Sequence, residues 1–300
     1  MLKIKNLDLG IREKLDVLVL DVTEATTKGG KPYVIFTVTD GEATVKIRKW
    51  DCVATDYERA KNTVVEMNVK SSMYNGEITY DTDFAVFSKK PMDEFIKKVP
   101  GDIQKMMDEI LERVSRIADA ELRSMVENIL LQEKDRLLYW AAAKSHHHAL
   151  YGGLLYHMYR MGKNADIQCN LYPDLDRDIL VAGAYLHDIG KLIELDTNKL
   201  GNADYTTEGS LLGHIYIGME YLEKNQGTVD QKKLLHLKHM IASHHGCPEW
   251  GALMVPKTAE AQMLHFLDMI DSRMYMFEDT YKTMESDTIV KTPSGSVYKF

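Results

Sequence analysis

In Gly183-Ala-Tyr-Leu-His-Asp-Ile-Gly-Lys-Leu192, preceded by the apolar run Ile179 to Ala182, a buried-type helix leads straight into an imidazole beside a carboxylate. Imidazole nitrogen and carboxylate oxygen are both good ligands for first-row divalent ions, so His187-Asp188 is a candidate half-site for a metal. Lys191 follows His187 by four residues and Asp188 by three, which on a helix puts it on their face. An ammonium there is a point charge suited to a phosphate. Taken alone, the doublet also fits a core histidine with a solvated aspartate. The rest of the chain decides between the two.

The chain has 300 residues, 45% of them hydrophobic, which predicts one large or two modest domains with real cores. The N-terminus, Met1 to Asn6, is charged early and reads as no signal peptide. No apolar run reaches the roughly 18 residues that a membrane span needs. Cys52, Cys169 and Cys247 are scattered, as expected for a reducing cytoplasm without disulfides. All 11 histidines fall at or beyond residue 146, which places the chemistry in the second part. Residues 1–90 hold 14 basic and 14 acidic residues, so the whole net charge of −8 belongs to the remainder. An acidic body argues against strong non-specific duplex binding, but not against a single strand held by stacking.

Residues 11 to 88 read as strands. Leu15 to Val22, Tyr33 to Thr39, Ala43 to Trp50, Val64 to Tyr74 and Ile78 to Phe87 are separated by turn signals at Gly29-Gly30, Asp40-Gly41 and Asn75-Gly76. Residues 53–61 fit a short helix. Three strands, a helix and two strands predict a five-stranded OB-type barrel over 1–90. Lys31, Tyr33, Phe36, Lys46, Arg48 and Trp50 interleave basic and aromatic side chains on its second and third strands, a pattern suited to unpaired bases. The plainer alternative puts Phe36, and with it Trp50, in the barrel core and the lysines on a solvated face.

Residues 91–101 read as a linker and 102–285 as helices. Apolar residues recur at helical spacing in Ile103 to Val114 and Leu122 to Leu130, and further helices fit 135–144, 150–169, 176–188, 208–225, 229–245 and 257–283. Residues 286–300 read as an extended tail. On successive helices fall His157, His187-Asp188, His214, His244-His245 and Asp268, at intervals of about one helix plus one loop, which lets a bundle turn them to one centre. Each alone is more often structural; the ordered series is not.

This series resembles the HD superfamily of metal-dependent phosphohydrolases. His157, His187, Asp188 and Asp268 match its basic four-residue set, and His214 with His244 or His245 match the added ligands of its two-metal members. The cyclic-dinucleotide branch carries Gly-Tyr-Pro after its histidine pair; Gly246-Cys-Pro-Glu-Trp250 disfavours that branch. An OB-type module before an HD domain is similar to the YhaM family of 3′-5′ exoribonucleases. Gly30-Lys-Pro-Tyr33, Lys49-Trp-Asp51, Gly153-Leu-Leu-Tyr-His157, Leu171-Tyr-Pro173, Thr207-Glu-Gly209, Ser243-His-His-Gly246 and Asp271-Ser-Arg273 carry that likeness.

The resemblance implies a multidomain β plus all-α protein that removes nucleoside 5′-monophosphates from the 3′ end of single-stranded RNA, with single-stranded DNA open. It implies manganese, with Fe2+, Co2+, Mg2+ or Ni2+ also compatible with imidazole and carboxylate ligands. One ion would take His157, His187, Asp188 and Asp268, the other Asp188, His214, His244 and His245. Asp188 can bridge two ions through its two oxygens, and Lys191 would hold the scissile phosphate. His265 shares the face of Asp268 and is expected behind the ligands, while Asp271 rivals Asp268 as ligand. His147 and His148 either touch substrate or cap the first ligand helix. Two other readings stand beside this one: a phosphohydrolase of small or cyclic nucleotides with a regulatory barrel, and a non-enzymatic RNA-binding protein. No membrane partner is expected, and homo-oligomerisation is left open.

Overall fold

The structure is a computed structural model that describes residues 2–144, 150–282, 284–292 and 295–300. The chain divides into two compact units, Met1–Lys97 and Lys98–Phe300.

In the first unit, β1 (Arg12–Thr26), β2 (Pro32–Thr39), β3 (Thr44–Trp50), β4 (Val64–Tyr74) and β5 (Glu77–Phe87) close a barrel in the order β1-β2-β3-β5-β4. This is the OB-type barrel expected from the sequence. The first strand serves both sides of the closure. Arg12 to Leu18 pairs with β4, Leu18 to Thr26 pairs with β2, and a register shift between Val19 and Asp21 bends the strand between them. Parallel pairing of Ile47 with Tyr80 joins β3 to β5. At the β4–β5 turn Asn75 and Gly76 both adopt positive φ, 50° and 82°, as a tight hairpin requires.

Period-two alternation decides which side chains fill the barrel. Val34, Phe36 and Val38 of β2 and Ile47 of β3 point inwards with Val17, Val19, Val65, Met67 and Val69. Phe36 is 0% exposed and packs edge-on against Tyr57, so the expectation that it contacts nucleic acid is corrected. It lies one residue off the register of the outward face and belongs to the core. Residues 53–61 form two short 3-10 turns, Ala54–Asp56 and Glu58–Ala60, rather than one helix.

The second unit is helical: α1 (Ile103–Ser115), α2 (Ala120–Gln132), α3 (Lys134–Leu137), α4 (Gly153–Leu171), α5 (Arg177–Leu186), α6 (Lys191–Glu194), α7 (Thr207–Lys224), α8 (Gln231–Ser243) and α9 (Ala259–Tyr281). Asp102, Asp119, Asp176, Thr206, Asp230 and Thr258 cap six of these, each accepting from a backbone N–H of the first turn. The hub is α5, whose residues from Ile179 to Leu186 are all buried. Gly162 and Gly183 let neighbours approach it: a Cβ at Gly162 would meet the Tyr185 hydroxyl, and one at Gly183 would meet Met240.

The structure departs from the sequence pattern at three places. The helix expected over 135–144 stops after α3, because Trp140 turns into the core and donates its Nε1–H to the Lys191 carbonyl, 3.0 Å away. A two-stranded hairpin, β6 (Leu195–Thr197) and β7 (Ala203–Tyr205), intervenes before α7. The C-terminal segment pairs with itself as β8 (Thr288–Thr292) and β9 (Gly295–Lys299). No described helix is long and apolar enough to cross a membrane.

Backbone approaches closely at Gly190, where a Cβ would sit 2.1 Å from the His214 carbonyl oxygen. Gly190→Ala should therefore lower stability by about 3 kcal/mol, since backbone must move. Gly227→Ala, at φ 58° with open space, should cost only about 1 kcal/mol of strain. Urea unfolding of the full chain, followed by helical circular dichroism, checks the order of the two.

Candidate metal centre

Four elements deliver the histidines, and His157, His187, His214 and His244 are each held by Nδ1. On α4, His157 is 2% exposed and donates Nδ1–H to Asp271 Oδ2 at 2.7 Å. His187 is the residue on which α5 ends, and its Nδ1 faces the Ala184 carbonyl at 3.2 Å. His244 stands at the same place on α8, with Nδ1 2.7 Å from the Ile241 carbonyl. His214 follows a break in α7 at Gly213 (φ 70°, ψ 155°), and Glu194 Oε1 accepts from both its backbone N–H and its Nδ1–H at 3.0 Å. A carbonyl or carboxylate beside Nδ1 requires the proton there, which leaves the Nε2 lone pair to face inwards.

Those lone pairs converge on Asp188. Its Oδ2 lies 3.5 Å from His187 Nε2 and 3.7 Å from His157 Nε2. Its Oδ1 lies 3.5 Å from His214 Nε2 and 3.8 Å from His244 Nε2. Asp268 Oδ1 is 3.4 Å from His157 Nε2, on the Oδ2 side. Three overlapping groups have ligand atoms within 4.8 Å of one another: His157 with His187 and Asp268, His187 with Asp188 and His244, and His214 with His244 and His245.

The residues fit a divalent cation. Asp188 Oδ1, His214 Nε2, His244 Nε2 and His245 Nδ1 are buried without a hydrogen-bond partner. Buried polar atoms are seldom left so. His157 Nε2 and His187 Nε2 lie 3.1 Å apart, close enough for both to face one ion or to share a proton. The α5 and α8 termini add the negative ends of two helix dipoles.

Electrostatics agree with ligation. Burial pushes His187 down to about 3 and His245 down to about 4, and holds His244 well below its ordinary value, so these imidazoles are neutral at pH 7. Burial would raise Asp188, but Lys191 and the surrounding histidines outweigh it and hold the carboxyl well below the usual range. Burial raises Asp268. At His157 burial is outweighed by the Asp271 hydrogen bond and the nearby carboxylates, and its pKa rises.

Other expected site residues are placed as follows. Lys191 Nζ pairs with Asp188 Oδ2 at 2.7 Å across a tight turn, not along a continuous helix. Asp271, 0% exposed, spends its carboxylate on His157 Nδ1 and on Arg160 Nε at 2.5 Å, which turns it away from the cluster that Asp268 joins. His265 does not bond Asp268; its Nδ1 meets the His244 carbonyl at 2.8 Å. His147 and His148 lie outside the described residues. On the barrel, Tyr33, Lys46, Arg48 and Trp50 share the outward face: Tyr33 pairs with Trp50, Ile35 with Arg48 and Thr37 with Lys46. The Tyr33 and Trp50 rings are 4.7 Å apart, and Trp50 is 47% exposed. Lys31, also exposed, lies 3.6 Å from Asp51. Sequence reasoning missed Glu194 and Arg160, which have no motif and are recruited only by proximity.

Comparison with known proteins follows the same lines. The HD domain family model matches residues 154–273, which span every ligand candidate from His157 to Asp268. A 3′-5′ exoribonuclease YhaM of Oceanobacillus iheyensis is 30% identical over 276 residues, covering 89% of this chain and 86% of that protein. The second OB-fold domain of replication protein A from Methanococcus maripaludis aligns with 30% of this chain and 96% of its own, at 16% identity and a TM-score of 0.25. Fold, clustered histidines and family match together define a hydrolytic enzyme of the HD phosphohydrolase class, with a site for divalent metal. Within that class, the chain belongs to the YhaM family of 3′-5′ exoribonucleases.

The depressed histidines set a pH dependence. Between about pH 6.5 and pH 4 the unfolded chain binds protons at His187 and His245 that the folded chain refuses, so stability falls as pH falls. His157, raised in the folded state, works the other way: its stabilising contribution is present below about 6.5 and is lost as pH rises through its folded pKa. For the metal-free protein, the unfolding free energy from urea titration should fall from about pH 6.5 to about pH 4.5, by roughly 1–3 kcal/mol per pH unit. His187→Gln should flatten that slope.

Proposed function

We propose that this protein is a 3′-to-5′ exoribonuclease that binds two divalent ions and hydrolyses phosphodiester bonds of single-stranded RNA to nucleoside 5′-monophosphates. The observation that carries the reading is the position of Asp188, with one carboxylate oxygen turned to His157 and His187 and the other to His214 and His244. A carboxylate so placed suits two ions about 3.5–4 Å apart. We assign His157, His187, Asp188 and Asp268 to one ion and Asp188, His214, His244 and His245 to the other. Manganese is the proposed metal, because imidazole and carboxylate ligands without thiolate suit it and the family implies it.

The ions, when bound, supply an acidified water and charge relief on the phosphoryl oxygens. The protein supplies the rest. Asp271 and Glu194 hold His157 and His214 in the tautomer that faces inwards. Burial keeps the remaining imidazoles neutral, and therefore available, down to acid pH. Lys191 keeps a positive charge beside the place where the scissile phosphate must lie, against the pull of burial, because Asp188 pairs with it. Hydrolysis would put the oxygen of water on phosphorus, break its bond to the 3′ oxygen of the preceding nucleotide and leave that oxygen a hydroxyl with a proton from the water, so that the chain becomes one nucleoside 5′-monophosphate shorter.

The barrel contributes affinity for the strand. The outward Tyr33–Trp50 pair offers stacking surface for unpaired bases, flanked by Lys46 and Arg48 for the backbone. Covalent attachment to the HD unit raises the effective concentration of RNA at the metal centre without any new contact there. The unpaired Cys52, Cys169 and Cys247 fit a reducing compartment, and we place the activity in the cytoplasm.

Asp188→Asn should reduce RNA degradation by about a thousandfold or more, since several kcal/mol of charge stabilisation are lost. Chelation should abolish activity in the unaltered protein, and manganese should restore it. Persistent exonuclease activity after either change would defeat the assignment. A barrel variant with Lys46, Arg48 and Trp50 all changed to alanine should raise KM for long RNA by roughly 10-fold to 100-fold while sparing hydrolysis of a small aryl phosphodiester. Equal KM for long RNA in both forms would favour a small nucleotide as the substrate.

A further inference from the structure

Burial is uneven around the metal centre. His157, His187, Asp188 and His244 are buried, whereas the side chains of Asp268, His214 and Lys191 keep 17%, 13% and 11% of their exposure, and His245 is half-buried. These last four are the candidate site residues that solvent reaches.

The loop after α8, residues 246–256, lies against one of them, His245. A Cβ on Gly251 would sit 3.3 Å from His245 Nδ1, so the backbone passes directly over one of the candidate ligands. Gly251 at φ 95° turns the chain there, and Trp250 immediately precedes it. The indole of Trp250 is 59% exposed, a large apolar plane left in water beside a buried polar centre.

Its placement is built, not loose. One face of the indole stacks on the His265 ring, with centroids 6.1 Å apart and planes 28° from parallel. His265 is buried and anchors to the His244 carbonyl through Nδ1. A Cβ on Gly246 would meet the His265 ring at 2.3 Å, so ring and loop are packed without slack. Trp250 is thus tied through two contacts to the backbone of a candidate ligand, and its exposed surface is aromatic.

We propose that Trp250 is a substrate-binding residue that stacks on the base of a nucleotide at the 3′ end of the RNA while its phosphate lies at the metal centre. The proposal rests on the exoribonuclease reading of that centre and adds the element that holds the base. Stacking is indifferent to base identity, because every base has a π face, and so suits an enzyme that must remove all four nucleotides in turn. It also gives His265 a purpose that neither ligation nor contact with Asp268 supplies: it is the backing on which the indole rests.

The experiment compares two oligoribonucleotides of equal length, one intact and one with an abasic residue at its 3′ terminus, each with the unaltered protein, Trp250→Ala and Trp250→Phe. Loss of the base should raise KM by roughly 10-fold to 100-fold in the unaltered protein. Trp250→Ala should show the raised KM with both substrates, and no further penalty for the missing base. Trp250→Phe should recover most of the difference. A purely structural role for Trp250 would lower activity on both substrates and leave the base penalty intact, which overturns the proposal. So would a base penalty retained by a Trp250→Ala protein whose molecular mass in solution has changed, which would assign the indole to contact between copies. Failure of the unaltered protein to shorten either oligonucleotide, in the presence of manganese, would instead refute the exoribonuclease reading itself.

Discussion

A carboxylate buried among imidazoles is the constraint on which the HD unit depends. Asp188 is 3% exposed, and an isolated buried charge costs more than a domain of ordinary stability can bear. Its one close partner is Lys191 on Oδ2, and Oδ1 makes no hydrogen bond at all. Four imidazole Nε2 atoms lie within 3.8 Å of its oxygens, and those too carry unshared lone pairs. Lys191 offsets part of that concentration of donors, on the Oδ2 side alone. The donor set of the cluster fits a divalent cation.

The same economy appears one bond further out. At four of the five candidate histidines the outer ring nitrogen is committed: to Asp271 at His157, to Glu194 at His214, and to main-chain carbonyls at His187 and His244. Each half of the centre thus has one imidazole held by a carboxylate and one held by a helix end. The two carboxylates are not equivalent. Arg160, itself bridged to Glu278, neutralises Asp271, whereas Glu194 leans on His214. A neutralised carboxylate makes the weaker base, so the two halves differ in how strongly their imidazoles donate to a metal.

Much of this was legible beforehand for a simple reason. Metal ligands must be a few residue types, and the helices that carry them are marked by caps and apolar periodicity. His157, His187, Asp188, His214, His244, His245 and Asp268 could be named from type and order alone. Phe36 could not be placed, because one residue of register in a strand separates core from surface, and strand ends are not sharp in sequence. The helix after Lys134 was overextended because its termination is set by Trp140, whose indole seeks a carbonyl fifty-one residues away. Glu194 carried no signal, since nothing near it in the chain differs from an ordinary amphipathic turn.

Sequence by itself determined the two-part architecture, the family and the roster of ligand candidates, because composition, periodicity and residue chemistry are local properties. Only the tertiary structure decided which nitrogen of each imidazole faces the centre, that Asp271 orients His157 while Asp268 joins the cluster, and that Trp250 packs on His265. These are relations between side chains brought together by the packing of helices around α5, and distance along the chain carries no record of them.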